Sequence, residues 1–165
     1  MISQKKLQTM KYIQKEFDSL KNEPITPIGL TVRLNENYKG TLNIFHWKIT
    51  LTGPYDLPYA GGKFLLTIDF DEDYPNKKPE IRFCNKIYHL NAHPTSGHIS
   101  ISTLNQWIPK TPILTIISSI YALFYDQNPK SPYSGQMARE YEHNRDEFNK
   151  KAKEWTQKYA SKNLD

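Results

Sequence analysis

Cysteine is nearly absent from this chain of 165 residues: Cys84 is the single one. No disulfide can form within the chain, and no cysteine pair exists to hold a structural zinc. A lone thiol fits a reducing compartment, so the expected location is cytoplasmic, nuclear or both. No run of about 18 apolar residues occurs, which argues against a membrane-spanning helix. Behind Met1-Ile2-Ser3-Gln4-Lys5-Lys6 there is no apolar signal region. Repeats, low-complexity tracts and linkers are also lacking, so one domain over 1–165 is expected.

What is present is a composition suited to a packed core. Hydrophobic residues make up 38% and aromatics 13%, and the net charge is +5. The lysines are spread along the chain and read as solvated helix faces rather than a nucleic-acid surface. Such a basic face can still steer an acidic protein partner.

Leu7, Met10, Ile13, Phe17 and Leu20 recur at helical spacing and predict an amphipathic helix over 3–21, ended by Asn22-Glu23-Pro24. Strand alternation follows at Leu30-Val32-Leu34, Trp47-Ile49-Leu51, Phe64-Leu66-Ile68-Phe70 and Ile81-Phe83. Asn35-Glu36-Asn37 reads as a turn, within a long segment from Thr26 to Leu42 that also carries Tyr38 and Gly40. Close spacing predicts an antiparallel meander. Residues 85–110 show little periodicity, and a loop of that length is usually functional. Then Ile113, Ile116, Ile117, Ile120 and Phe124 mark a helix, Pro132 is placed in the first turn of the next, and Phe148, Ala152, Trp155 and Tyr159 mark the last. The fold class is α+β: an N-terminal helix, a four-stranded antiparallel meander, an irregular segment and three C-terminal helices.

Several runs, in order, carry a resemblance. They are Lys11 to Glu16; Phe45-His46-Trp47; Gly53-Pro54 with Pro58-Tyr59-Ala60-Gly61-Gly62-Lys63-Phe64; Tyr74-Pro75 with Lys78-Pro79; Ile87-Tyr88-His89-Leu90-Asn91; Gly97-His98-Ile99-Ser100 with Leu104 and Trp107; Asp126 to Pro129; and Ala152 to Ala160. Together they resemble the ubiquitin-conjugating enzyme family, whose usual form is I-Y-H-P-N … G-x-I-C-L-x-x-L … W. The first helix and tail look most like its broad-specificity, chain-building members.

The resemblance implies an acyl carrier. Ubiquitin or a ubiquitin-like modifier arrives from an activating enzyme, sits on residue 100, and passes to a substrate lysine with a ligase. No cofactor is implied, since ATP is used by the activating enzyme alone. Neither nucleic acid nor membrane is an expected partner. Asn91 matches the family asparagine that binds the tetrahedral oxyanion or braces the loop that does so, and these roles stay open. A loop asparagine capping its own turn is the bland alternative.

Ser100 falls where the family has its cysteine. An alcohol offers no thiolate near neutral pH, whereas a free cysteine ionises near ~8.5. Three readings are an engineered Cys→Ser change that would trap an oxyester to ubiquitin, a naturally inactive scaffold that binds ubiquitin or a partner, and a serine nucleophile. Intact surroundings favour the first; Leu90 in place of proline points to the second; the third needs a base within reach of Ser100, with His89 and His98 nearby in sequence. Ser102 and Ser131 stand where the family often has aspartates, so an acidic gate is missing. His89, His93 and His98 read as loop and core histidines, with no metal expected. Cys84 reads as a buried structural thiol. Lys5, Lys11 and Lys15 are expected on the polar side of the first helix, facing the activating enzyme. Asn76, Ile108, Pro109 and Lys110 occupy the ligase-contacting loops, where the chain-building members usually carry an aromatic and a Ser-Pro-Ala run.

Overall fold

The structure, a computed structural model, describes residues 1–22, 31–36 and 42–161. The expected stop at Glu23-Pro24, the alternation at Leu30 and the end of the expected turn from Asn37 to Gly40 lie outside the described residues; Asn35 and Glu36, expected in that turn, instead continue the strand, paired with Asn43 and Leu42. Helix α1 (Gln4–Asn22) leads into strands β1 (Thr31–Glu36), β2 (Leu42–Thr52), β3 (Lys63–Asp69) and β4 (Glu80–Phe83). These pair antiparallel in sequence order. Four helices follow: α2 (Ser102–Asn105), α3 (Ile113–Tyr125), α4 (Gly135–His143) and α5 (Arg145–Tyr159).

Alternation along the strands builds one apolar face. Trp47 pairs with Ile68 and Ile68 with Ile81; Ile49 pairs with Leu66 and Leu66 with Phe83. All six are buried. Cross-strand rows of β-branched and aromatic side chains are the stabilising unit of a sheet. From α1, Phe17 meets the Trp47 ring edge-on at 5.3 Å, and from α3, Phe124 lies 5.3 Å from Phe64.

The buried stripe of α1 is Thr9, Ile13, Phe17 and Leu20. Leu7, expected on that stripe, is exposed. The helix start is set by polar contacts instead: the Thr9 hydroxyl reaches the Glu72 carbonyl at 2.9 Å, and Ser3 Oγ accepts from the Lys6 N–H. Thr9 thereby takes the inward position one turn before Ile13.

Two other expectations are corrected. Cys84 is exposed, because β4 alternates Ile81 and Phe83 inward and the next side chain must point out. Pro132 lies outside α4. The helix begins after Ser134, whose hydroxyl accepts from the Met137 N–H, while the Tyr133 N–H is drawn away to the Leu90 carbonyl at 2.9 Å. The stretch 85–110 holds one short helical turn, α2, and the three expected C-terminal helices, α3 to α5, follow it. No helix among the described residues is long and apolar enough to cross a membrane.

Candidate active site

The segment before Ser100 is fixed by buried hydrogen bonds. Tyr59, 1% exposed, donates its hydroxyl to the Tyr88 carbonyl at 2.6 Å. The Tyr59 hydroxyl oxygen accepts from Gln127 Nε2 at 2.7 Å, and Gln127 Oε1 accepts the Leu90 N–H at 2.8 Å. The Leu90 carbonyl takes the Tyr133 N–H. Both polar groups of the Leu90 backbone are thus satisfied in a buried setting.

His89 is locked as a neutral ring. Its Nδ1 accepts the Asn91 N–H at 3.0 Å, so Nε2 carries the hydrogen and donates to the Leu123 carbonyl at 2.8 Å. Burial, opposed in part by the Leu123 carbonyl, lowers its pKa to about 4. With both nitrogens committed, His89 is not placed to take a proton from Ser100.

Asn91 is fully buried. Its Oδ1 accepts the Asn128 N–H at 2.8 Å, and its Nδ2 donates to the Asn128 and Ser131 carbonyls at 3.0 and 3.2 Å. Three partners fix the carboxamide in one orientation and tie residue 91 to the loop 128–131. Both amide hydrogens are engaged on backbone.

Ser100 is placed by the same residue from its main chain: its N–H donates to the Asn91 carbonyl at 2.8 Å. The two strands of this small hairpin bridge at Ala92 and Ile99. Gly97 turns it with φ +76°, and a Cβ there would sit 1.9 Å from the Phe83 carbonyl oxygen, so only glycine fits. Ile99 is buried, whereas His98 is exposed and Ser100 half-exposed. Residues 98 and 100 therefore share the outer side. Asn105, at the end of α2, holds its Nδ2 3.4 Å from Ser100 Oγ.

Beside this point opens a cleft of about 310 Å³ lined by Lys78, Glu80, His93, His98, Asn105 and Tyr133, among others. His98 Nδ1 lies 2.8 Å from Ser96 Oγ and Nε2 3.3 Å from Glu80 Oε1, while His93 Nδ1 accepts the Thr95 and Ser96 N–H groups. None of the three histidines hydrogen-bonds Ser100. Ser102 and Ser131 are exposed, so no carboxylate stands at either position. Among the described residues, no group of three or more His, Cys, Asp or Glu gathers as a metal site.

The proposed docking residues divide. Lys5, Asn76 and Lys110 line a second open cleft, also about 310 Å³, with Gln8, Tyr12 and Tyr74. The Trp107 indole N–H donates to the Pro75 carbonyl at 3.0 Å and ties the two loops together there. Ile108 and Pro109 are exposed beside it, and Lys110 adopts φ 68°. Lys11 and Lys15 are exposed on α1 but do not line this cleft. Lys5 is ion-paired with Asp73, Lys6 with Glu72 at 2.9 Å and Lys77 with Asp71 at 3.0 Å. Contact with Asp73 raises the Lys5 pKa. These pairs are exposed, so each contributes little to stability.

Sequence reasoning singled out neither Gln127, Tyr59 nor Asn105. The replacement of the motif proline by Leu90 was the available signal for Gln127, because it creates an N–H that needs an acceptor. Asn105 carried no signal, being one polar residue in a polar loop.

An irregular active-site hairpin beside a meander sheet, with Phe124 of α3 packed on Phe64 and Phe83, defines an α+β conjugating-enzyme fold. The family model described as ubiquitin-conjugating enzyme matches residues 12–156. A candidate ubiquitin conjugating enzyme from Plasmodium yoelii is 32% identical, with TM-score 0.81 and 99% of each chain covered. The E2 domain of a ubiquitin conjugating enzyme from Toxoplasma gondii is 29% identical, with TM-score 0.79, covering 92% of this chain and 99% of that one. This chain belongs to the ubiquitin-conjugating enzyme family.

Proposed function

We propose that this chain takes ubiquitin, or a ubiquitin-like modifier, from an activating enzyme onto residue 100 and passes it to lysines of substrate proteins with a ligase. The observation that carries this reading is the placement of Ser100. It is half-exposed at the end of a braced hairpin, held by the Asn91 carbonyl, beside an open cleft. An extended, flexible tail can lie in such a shallow site. In this reading Asn91 positions the loops, and Ser102 and Ser131 offer hydrogen bonds where an acidic gate would receive the lysine proton. Two clefts on different loops separate the chemistry from docking at Lys5, Asn76 and Lys110, with Ile108 and Pro109 at the rim. No cofactor of its own is required. The single thiol suits the cytosol or nucleus.

An oxygen nucleophile makes an ester rather than a thioester. The expected behaviour of this form is therefore slow, trapping chemistry. Ser100 equally supports a second reading, a non-catalytic scaffold that binds ubiquitin or an active partner. Incubation with ubiquitin, activating enzyme and ATP separates the two. The carrier reading expects an adduct that survives reductant but not mild alkali, and a reductant-sensitive adduct for Ser100→Cys. Absence of both adducts would leave the scaffold or a modifier other than ubiquitin.

A further inference from the structure

We propose that Asn105 is a catalytic amide donor that acts on the Ser100 oxygen itself, while Asn91 only positions the loops. The inference rests on the carrier function proposed above.

Four observations converge. Asn91 is fully buried, and its two amide hydrogens already serve the Asn128 and Ser131 carbonyls. To act on a reacting oxygen it would have to abandon its partly buried contacts with two backbone acceptors and loosen the loop they hold. Asn105 is the opposite case. It is exposed, its Nδ2 lies 3.4 Å from Ser100 Oγ, and among the described residues no other side chain hydrogen-bonds that hydroxyl. The contact is long for a resting hydrogen bond, but such bonds often tighten only when charge develops. Its backbone is held in place: the Asn105 N–H donates to the Ile101 carbonyl at 2.9 Å, and Leu104 beside it is buried. Finally, the Asn105 side chain borders the cleft next to Ser100, where an incoming group would approach.

The chemistry of an ester explains what this donor is for. A lysine nitrogen attacks the carbonyl carbon of the modifier ester, and the carbonyl electron pair moves onto its oxygen. The nitrogen gives its proton to water. When the carbonyl re-forms, the bond from carbon to Ser100 Oγ breaks and Oγ leaves with the electron pair. Oγ then takes a proton from water, which restores the hydroxyl and completes the amide. A serine alkoxide is a far stronger base than a cysteine thiolate and leaves far less readily. An N–H within reach of Oγ stabilises that developing charge. A thiolate departs without such help.

The test uses the full chain, ubiquitin, activating enzyme and ATP, with Asn105→Ala and the isosteric Asn105→Asp made in both the parent and the Ser100→Cys background. Each isolated adduct is discharged in a single turnover onto free lysine. In the parent, Asn105→Ala should slow discharge about ten-fold or more, the scale of one hydrogen bond to a charged oxygen. Asn105→Asp, which cannot donate, should slow it at least as much. In the Ser100→Cys background both changes should alter discharge by less than about two-fold. Equal slowing in both backgrounds would assign Asn105 a structural role and overturn the proposal, as would no slowing in either. If Ser100→Cys accepts ubiquitin and the parent does not, the proposal fails while the family activity stands. If neither accepts it, the carrier function fails and this proposal with it.

Discussion

The Leu90 N–H donates to Gln127 Oε1 across 2.8 Å, in a buried position. The family form I-Y-H-P-N has proline at residue 90, and proline has no N–H to give. In this chain the departure is matched: Gln127 supplies the acceptor, and its Nε2 continues the network to Tyr59 and so to the Tyr88 carbonyl. The Leu90 change is therefore built into the active-site frame rather than being a loose substitution.

Leu90→Pro should remove the donor and leave Gln127 Oε1 unpaired, at a cost of about 1–3 kcal/mol. Gln127→Leu should cost a similar amount by leaving the Leu90 N–H unpaired. The double variant should lose less than the sum, because each change removes the partner the other orphans. Urea unfolding of the four proteins measures this. Strict additivity would show that the two residues are not coupled.

Asn91→Ala should release the loop 128–131 as well as destabilise the fold, since three hydrogen bonds leave together. The expected loss is about 2–4 kcal/mol, with the partly buried carbonyls relaxing toward water. Hydrogen exchange should rise at Asn128, whose N–H now meets Asn91 Oδ1. Unchanged protection there would remove the bracing role.

Much of this frame was legible beforehand. The strand pairs at Trp47, Ile49, Leu66 and Ile68 follow from alternation, and α3 from the isoleucine spacing. Leu7 misled because it fits the helical period as well as Thr9 does. What places Thr9 inward is a tertiary hydrogen bond to the Glu72 carbonyl, 63 residues away. Pro132 misled for the same reason, since the start of α4 is decided by Ser134 and by a long-range bond from Tyr133 to Leu90. Asn91 could be picked out by its motif, but the choice between bracing and charge stabilisation depends on where both amide hydrogens point.

The exposed Cys84 thiol should react with one equivalent of a disulfide reagent in the native protein, without denaturant. Cys84→Ser should change stability by less than about 0.5 kcal/mol, as a surface substitution. Reaction only after unfolding would return Cys84 to the interior.

His89 should make the protein acid-sensitive well above the carboxylate range. Its pKa is lowered to about 4 in the fold from the ordinary 6.5. The neutral ring's contribution is full above pH about 6.5 and is lost as pH falls toward about 4, because the unfolded chain binds the proton first. At pH 5 the loss is about 2 kcal/mol from this group. Urea midpoints at pH 7 and pH 5 report it. His89→Gln should be less stable at pH 7 yet show a flatter change between the two. An equally steep change in that variant would assign the acid sensitivity to other groups.

The basic face of α1 supports a last prediction. Lys11 and Lys15 are exposed, whereas Lys5 already pairs with Asp73. If the activating enzyme docks by opposite charge, Lys11 and Lys15 are cations on the middle of α1 available to steer it. Reversing both, Lys11→Glu with Lys15→Glu, in the Ser100→Cys background should slow adduct formation about ten-fold at low salt, within the usual range of electrostatic steering. The gap should narrow as salt rises, since the Debye length falls from roughly 30 Å at 0.01 M to roughly 8 Å at 0.15 M. Lys5→Glu is the informative contrast. It sets a new carboxylate against Asp73 and beside Asp71 and Glu72, so its effect mixes lost steering with a disturbed loop at the cleft holding Asn76 and Lys110. That variant should retain part of its defect at high salt. The Lys11 and Lys15 pair should recover nearly to the parent rate. A defect in the pair that is the same at every salt concentration would indicate damage to α1 itself, which a loss of helix by circular dichroism would confirm.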